Sequence, residues 1–288
     1  MTLKIKNNQI SFNLFYNRRY LKILPFFALL VMMDLAVSFV SDGGMGVNGI
    51  YEAFADLTLM FGFLPVSNIT IIGVGWTLGV IFGFYILFPF FVYLIWTKKR
   101  AWFSLIITVA LNYVCNVYFL HNGSAVQCNV LRWLCYFIAG GLIYLYKDDL
   151  RRFMKNKVIG IAVTVIGFTL VFMVKNPFTG NLGTLMFTLM LMVGFSLMVI
   201  GALCPDTKLW SNPVSKFISK ISLEIYLAHM MIFRVIEKLG LTKIAGEGIL
   251  SYLLTCVGTI VGVLIFAALY QYIEGIIKKK YLKERSSL

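Results

Sequence analysis

Acid–base chemistry has little to work with in this sequence: two histidines and twelve Asp and Glu among 288 residues. Charged residues of either sign reach only 13%, roughly half the share found in soluble domains. That excludes an ordinary water-facing surface. Proline is sparse at six, and no low-complexity tract or internal repeat divides the chain, which excludes flexible linkers and solenoid repeats. The five cysteines, at 115, 128, 135, 204 and 256, form no CxxC and no metal-ligand spacing with either His. A cysteine–histidine metal site is therefore not expected, nor is a tightly bound cofactor. Cys115 and Cys128 flank one loop, a spacing that permits pairing, but packing as small core residues is the simpler reading.

What the chain has instead is apolar length. Hydrophobic residues make up 60%, gathered into eight runs at 22–41, 72–96, 102–121, 129–146, 158–175, 182–203, 217–239 and 250–273. Runs of about 20 residues suffice to cross a hydrocarbon core about 30 Å thick. Only helices and closed barrels satisfy backbone groups there, and none of the runs alternates as barrel strands do. The expectation is an all-α polytopic membrane helix bundle of about eight transmembrane helices. It forms a single membrane-embedded domain over 1–288, with a cytoplasmic lead-in at 1–20 and a basic cytoplasmic tail at 274–288. The first 20 residues are too polar for a signal peptide.

Basic residues alternate along the chain. The N-terminal segment (Lys4 to Lys22), Lys98–Arg100, the loop "YKDDLRRFMKNK", the loop with Lys208, Lys216 and Lys220, and the tail "KKKYLKER" hold 21 of the 26 Lys and Arg. The intervening loops hold only Lys175, Lys238 and Lys243. By the positive-inside rule both termini are cytoplasmic. The net charge of +14 then reflects orientation and anionic lipid rather than nucleic acid.

Polar side chains inside apolar runs are the candidate functional residues, because each is costly in lipid and tends to face a bundle interior or a wet cavity. In "ISLEIYLAHMMIFRVIEK", helical periodicity puts Ser222, Tyr226, His229 and Glu237 in one stripe, with Glu224 nearly opposite and Arg234 to the side. The stripe is expected to line a polar tunnel, with His229 near the midplane either accepting a proton or bonding across helices. Asp34 lies within the first run, where an unpaired carboxylate would be expensive. Thr108, Asn112 and Asn116 form a second stripe, read either as interhelical bonding or as tunnel wall. Arg132 opens the fourth run, and His121 reads as an interfacial residue. Gly75, Gly79 and Gly83 allow close helix approach, beside which Trp76 and Tyr85 read as packing residues. In "YEAFADLTLMFGF", Glu52 and Asp56 share a face opposite Phe54, Leu57 and Phe61, as in a short surface helix. Arg18, Arg19 and Lys22 form a basic cluster that would serve either as membrane anchoring or as a phosphate contact.

Three stretches together resemble a known family. "WTLGVIFGFYILFP" is similar to the Trp-Ser/Thr-Leu-x-Val-Glu-x-x-Phe-Tyr-x-x-x-Pro signature of the acyltransferase 3 family of integral-membrane O-acyltransferases. "FYNRRYLKILP" resembles its Arg-x-x-Arg stretch, and "ISLEIYLAHMMIF" its late Ser-x-x-x-Tyr-Leu-x-His helix. Ile81 stands where the signature has Glu, and Lys22 stands for the second Arg.

The resemblance implies an acyl, usually acetyl, group taken from cytoplasmic acyl-CoA (acetyl-CoA) and passed to a hydroxyl of a glycan or other cell-envelope acceptor. It places the protein in a bacterial cytoplasmic (inner) membrane. It implies that Arg18, Arg19 and Lys22 meet the nucleotide phosphates, and that Trp76, Tyr85, Asp34, Asn112, Asn116, Ser222 and Tyr226 bind donor or substrate. His229 becomes the catalytic candidate, because no counterpart of the family's first-span Arg and His is found here. The chain aligns from just before the third span, so two further spans encoded upstream are expected. A multi-span transporter or flippase and an inactive acyltransferase remnant are the alternatives.

Overall fold

The structure, a computed structural model, describes residues 12–42, 47–59, 74–121, 129–204 and 212–286. Among them lie eleven α-helices, one 3-10 turn and no strand. The helices are α1 (Phe12–Asp42), α2 (Val47–Thr58), α3 (Trp76–Leu94), α4 (Lys98–His121), α5 (Val130–Leu145), α6 (Lys147–Phe153), α7 (Lys157–Phe172), α8 (Gly180–Gly201), α9 (Pro213–Lys220), α10 (Ser222–Lys238) and α11 (Ile249–Ser286). Seven of the eight apolar runs form one helix each and the run at 217–239 forms two, which makes the protein an all-α polytopic bundle.

Five helices, α1, α3, α4, α8 and α11, are long and apolar enough by themselves to cross a membrane. Three runs fall short of that length. α5 and α7 have 16 residues and α10 has 17, giving each about 25 Å of rise. α7 follows the charged helix α6 across a bend of 113°. The run at 217–239, expected as one helix, divides at Ile221 (φ −105°) into α9 and α10. α1 begins at Phe12, so Arg18 and Arg19 of the expected lead-in stand on the same helix as Lys22. Residues 1–11 and Cys128 lie outside the described residues, as does the His121 side chain. Cys115 is a buried free thiol.

The helices gather into two compact units. One holds α1, α2 and α9 to α11; the other holds α3 to α8. In the first, α10 packs against both α1 and α11, and Phe26 meets Tyr270 with ring centroids 4.6 Å apart. In the second, α4 pairs with α5, and α7 with α8; Phe84 of α3 stacks on Phe137 of α5 at 3.7 Å.

Lipid, rather than water, explains the distribution of side chains. Ile106 (67% exposed), Leu182 and Ile249 face outward, whereas Asp34, Asp56, Asn112, Asn116 and Glu224 are buried. α2 follows the same logic, which adjusts the surface-helix expectation. Glu52 and Asp56 do share a face, but Asp56 is fully buried while Tyr51 and Phe54 are exposed. The acidic side packs inward and the aromatic side looks out, as suits a helix beside hydrocarbon. Phe61 lies outside the described residues.

The α7–α8 pair is held closest by glycine. A methyl group placed on Gly167 would lie 2.6 Å from the carbonyl oxygen of Gly194, and one placed on Gly201 would lie 2.7 Å from that of Gly160. Small residues permit this approach where lipid supplies no hydrophobic drive for helix pairing.

Candidate functional site

α10 turns Glu224, Leu227, Ala228 and Met231 into its unit. The expected Ser222–Tyr226–His229 stripe is therefore not the buried face. Ser222 and Tyr226 are exposed, and Ser222 donates to the Ser219 carbonyl at 3.1 Å. Of the three, His229 borders a cavity. It opens, with Met230 and Phe233, onto a cleft of about 780 Å³ whose opposite wall is α11.

The cleft depends on the turn between these helices. α10 stops at Gly240, whose φ of +70° suits glycine. Ser251, in the first turn of α11, then ties the connection down. Its hydroxyl accepts from the Ala245 amide at 3.1 Å and donates to the Gly246 carbonyl at 2.7 Å. One and two turns further along, Thr255 and Thr259 also face the cleft. Each donates its hydroxyl proton back to the helix at 2.8 Å, which leaves oxygen lone pairs for a donor in the cleft. This Ser-x-x-x-Thr-x-x-x-Thr stripe is legible in "SYLLTCVGT" and was not singled out in the sequence.

His229 has a fixed tautomer in this geometry. Its Nδ1 meets the Tyr226 carbonyl oxygen, an atom that can only accept, so Nδ1 carries the proton. In a neutral ring Nε2 is then the basic nitrogen. A base of this kind, half-buried beside a cleft, can take a proton from a hydroxyl.

Two other ionisable groups of α10 bond across helices. Arg234 of α10 reaches α1, where Nη1 pairs with Asp34 Oδ1 and Nη2 donates to Ser38 Oγ at 3.1 Å. Asp34 is thus neutralised within the fold rather than facing open space. Glu224 accepts from Gln271 Nε2 of α11 at 2.9 Å, and its Oε2 is buried without a partner among the described residues. At the N-terminal end of α1, Arg18 and Lys22 are exposed and one turn apart, while Arg19 is half-buried with its guanidinium 5.8 Å from the Phe15 ring.

Trp76, Tyr85, Asn112 and Asn116 belong to the second unit. Trp76 begins α3 and lies 5.5 Å from Trp133 of α5. Tyr85 is half-buried on the same helix. Asn112 Nδ2 donates to the Arg132 carbonyl at 2.7 Å, and Asn116 Nδ2 donates to Asn112 Oδ1 at 2.9 Å. The asparagine stripe therefore bonds α4 to α5, and Thr108 bonds back to its own helix through Ser104 O and Leu105 O. Among the described residues no group of three or more His, Cys, Asp and Glu is placed to hold a metal ion.

One family model, described as acyltransferase domain (Acyl_transf_3), matches residues 5–268. No curated protein and no solved structure matches the chain.

Proposed function

Since this integral membrane protein belongs to the acyltransferase 3 family, we propose that it moves an acetyl group from cytoplasmic acetyl-CoA to a hydroxyl of an envelope glycan. The observation that carries the reading is His229, a half-buried imidazole whose proton is held on Nδ1 and whose ring borders a cleft large enough for a sugar unit. Arg18, Arg19 and Lys22 supply cations for the nucleotide phosphates, with arginine suited to bidentate contact.

In this reading the acceptor hydroxyl gives its proton to His229 Nε2 as its oxygen attacks the thioester carbonyl. The C–S bond breaks, the new ester is released, and the coenzyme thiolate takes up the proton that His229 received, which restores the neutral ring. Thr255 and Thr259 accept hydrogen bonds from further hydroxyls. Asp34 acts through Arg234, while Trp76, Tyr85, Asn112, Asn116, Ser222 and Tyr226 keep the substrate-binding roles that family resemblance gives them.

The enzymatic test uses inside-out membrane vesicles and radiolabelled acetyl-CoA. Label in an alkali-labile ester of the carbohydrate fraction, absent from vesicles lacking the protein, is the expected result. Export of carbohydrate without ester formation would favour a transporter and end this reading.

The alternation of loop charge supports an arrangement with both termini inside, and the family resemblance supports residence in a bacterial cytoplasmic membrane. In a cysteine-free background, Lys155→Cys is expected to react with an impermeant maleimide only from the cytoplasmic side, and Gly180→Cys only from outside. Labelling of both from one side would overturn the arrangement.

A further inference from the structure

Arg132 differs from Arg234 in having no carboxylate paired with it among the described residues. It lies in the first turn of α5, half-buried, at the end that loop charge assigns to the outer face. Its main chain is engaged, with the N–H bonded to the Asn129 carbonyl at 3.2 Å and the carbonyl bonded to Asn112. Its guanidinium has no hydrogen-bonding or ion-pair partner among the described residues. The ionisable groups close enough to act on it are Tyr136, Cys115 and Cys135, types that are ordinarily neutral at pH 7. A guanidinium offers five donors in a fork that fits a carboxylate or phosphate. An intramembrane cation is normally paired.

Two further features surround it. The Trp76, Trp133 and Tyr136 rings form a continuous run with successive centroids 5.5 Å apart, and Arg132 lies 5.3 Å from the Trp133 centroid. These rings are half-buried, unlike Trp102 and Tyr118, which are 52% and 66% exposed as lipid-facing residues are. The flat faces therefore do not read as an interfacial belt. One hydrogen bond beyond Asn112, Asn116 Oδ1 is buried and has no donor among the described residues. A fork for an anion beside aromatic ring faces is complementary to one ligand class.

We infer that this end of α3, α4 and α5 is a subsite for an acidic sugar. Its carboxylate or phosphate pairs with Arg132, and its ring lies against the Trp133 and Trp76 pair. The inference rests on the acyltransferase reading, because it specifies the acceptor as an anionic glycan.

The test is a titration of tryptophan fluorescence of the full chain, purified in a polyoxyethylene detergent that carries neither sugar nor phosphate. Glucuronate or glucose 6-phosphate is expected to give a saturable change where glucose gives none; the stronger of the two identifies the anion. Arg132→Gln is expected to weaken that binding at least tenfold. Arg132→Lys keeps the charge, and with it the fold, but loses the fork; it is expected to weaken binding several-fold.

Equal responses to glucose and glucuronate, or unchanged affinity in both variants, would overturn the subsite. Native mass spectrometry covers the competing source of phosphate. A phospholipid retained by the wild type and lost from Arg132→Gln, with no response to either acidic sugar, would make this a lipid-headgroup contact and overturn the inference. Acetyl transfer to an acidic glycan at full rate in Arg132→Gln would remove the subsite while leaving the acyltransferase reading intact. Saturable glucuronate binding with no ester formed on any acceptor would keep the site and remove the reading.

Discussion

Replacing His229 by Ala or Gln is expected to lower acetyl transfer by a factor of about 10²–10⁴, the usual contribution of a positioned general base. A hydroxyl cannot attack a thioester efficiently while it keeps its proton, and the only other histidine in the chain is His121. The Nδ1 contact with the Tyr226 carbonyl makes the two substitutions informative together. Gln retains polarity and hydrogen-bonding capacity but cannot take up a proton, so loss of activity in Gln as well as Ala points to proton transfer. Because the base acts after binding, the decrease is expected in kcat, with KM for acetyl-CoA little changed. Near-normal turnover by well-folded His229→Gln protein would remove this residue from the chemistry.

Breaking the Asp34–Arg234 pair is expected to be the most destabilising single change in the first unit. Asp34 is 4% exposed, and removal of one partner leaves a charge in low dielectric, at a cost of about 3–5 kcal/mol. Asp34→Ala and Arg234→Ala should each lower the yield of monodisperse protein and the thermal midpoint in detergent. The paired neutral variant, Asp34→Asn with Arg234→Gln, should recover most of the loss because no charge is left unpaired. Ser38→Ala removes one bond, to Arg234 Nη2 at 3.1 Å, and should cost about 1 kcal/mol. The outcome that sinks the argument is a double variant less stable than either single alanine change.

This pair also shows where sequence reading ends. That Asp34 needed a partner is legible from its apolar surroundings. That the partner is Arg234, 200 positions away, is not, because periodicity assigns a residue to a helix face without saying which helix lies opposite. The asparagine stripe is similar. Its spacing is visible, but it bonds the main-chain carbonyl of Arg132, which leaves no side-chain signature. The apolar runs were legible because lipid demands length and helicity of each one separately. The break at Ile221 was not, since no Pro or Gly stands within 217–239 to mark it. For α10, the sequence identified one polar stripe and the structure buried the Glu224 side instead, because Gln271 of α11 offers that carboxylate a hydrogen bond.

The glycine contacts between α7 and α8 bear on how this chain can change over generations. Gly160 and Gly167 stand seven residues apart, as do Gly194 and Gly201. At Gly167 and Gly201 a side chain's first carbon would collide with a carbonyl oxygen of the opposing helix, which has no alternative rotamer into which to retreat; at Gly160 it would meet Cys204 Cβ at 2.9 Å, and at Gly194 a Val171 methyl at 2.7 Å. Beside them, Val165, Ile166 and Phe168 are exposed and answer only to hydrocarbon. Descendant sequences are therefore free to exchange one apolar residue for another over most of these two helices, while the four glycines stay fixed. A replacement at one of them needs a compensating shift of a whole helix, which no single nucleotide change supplies.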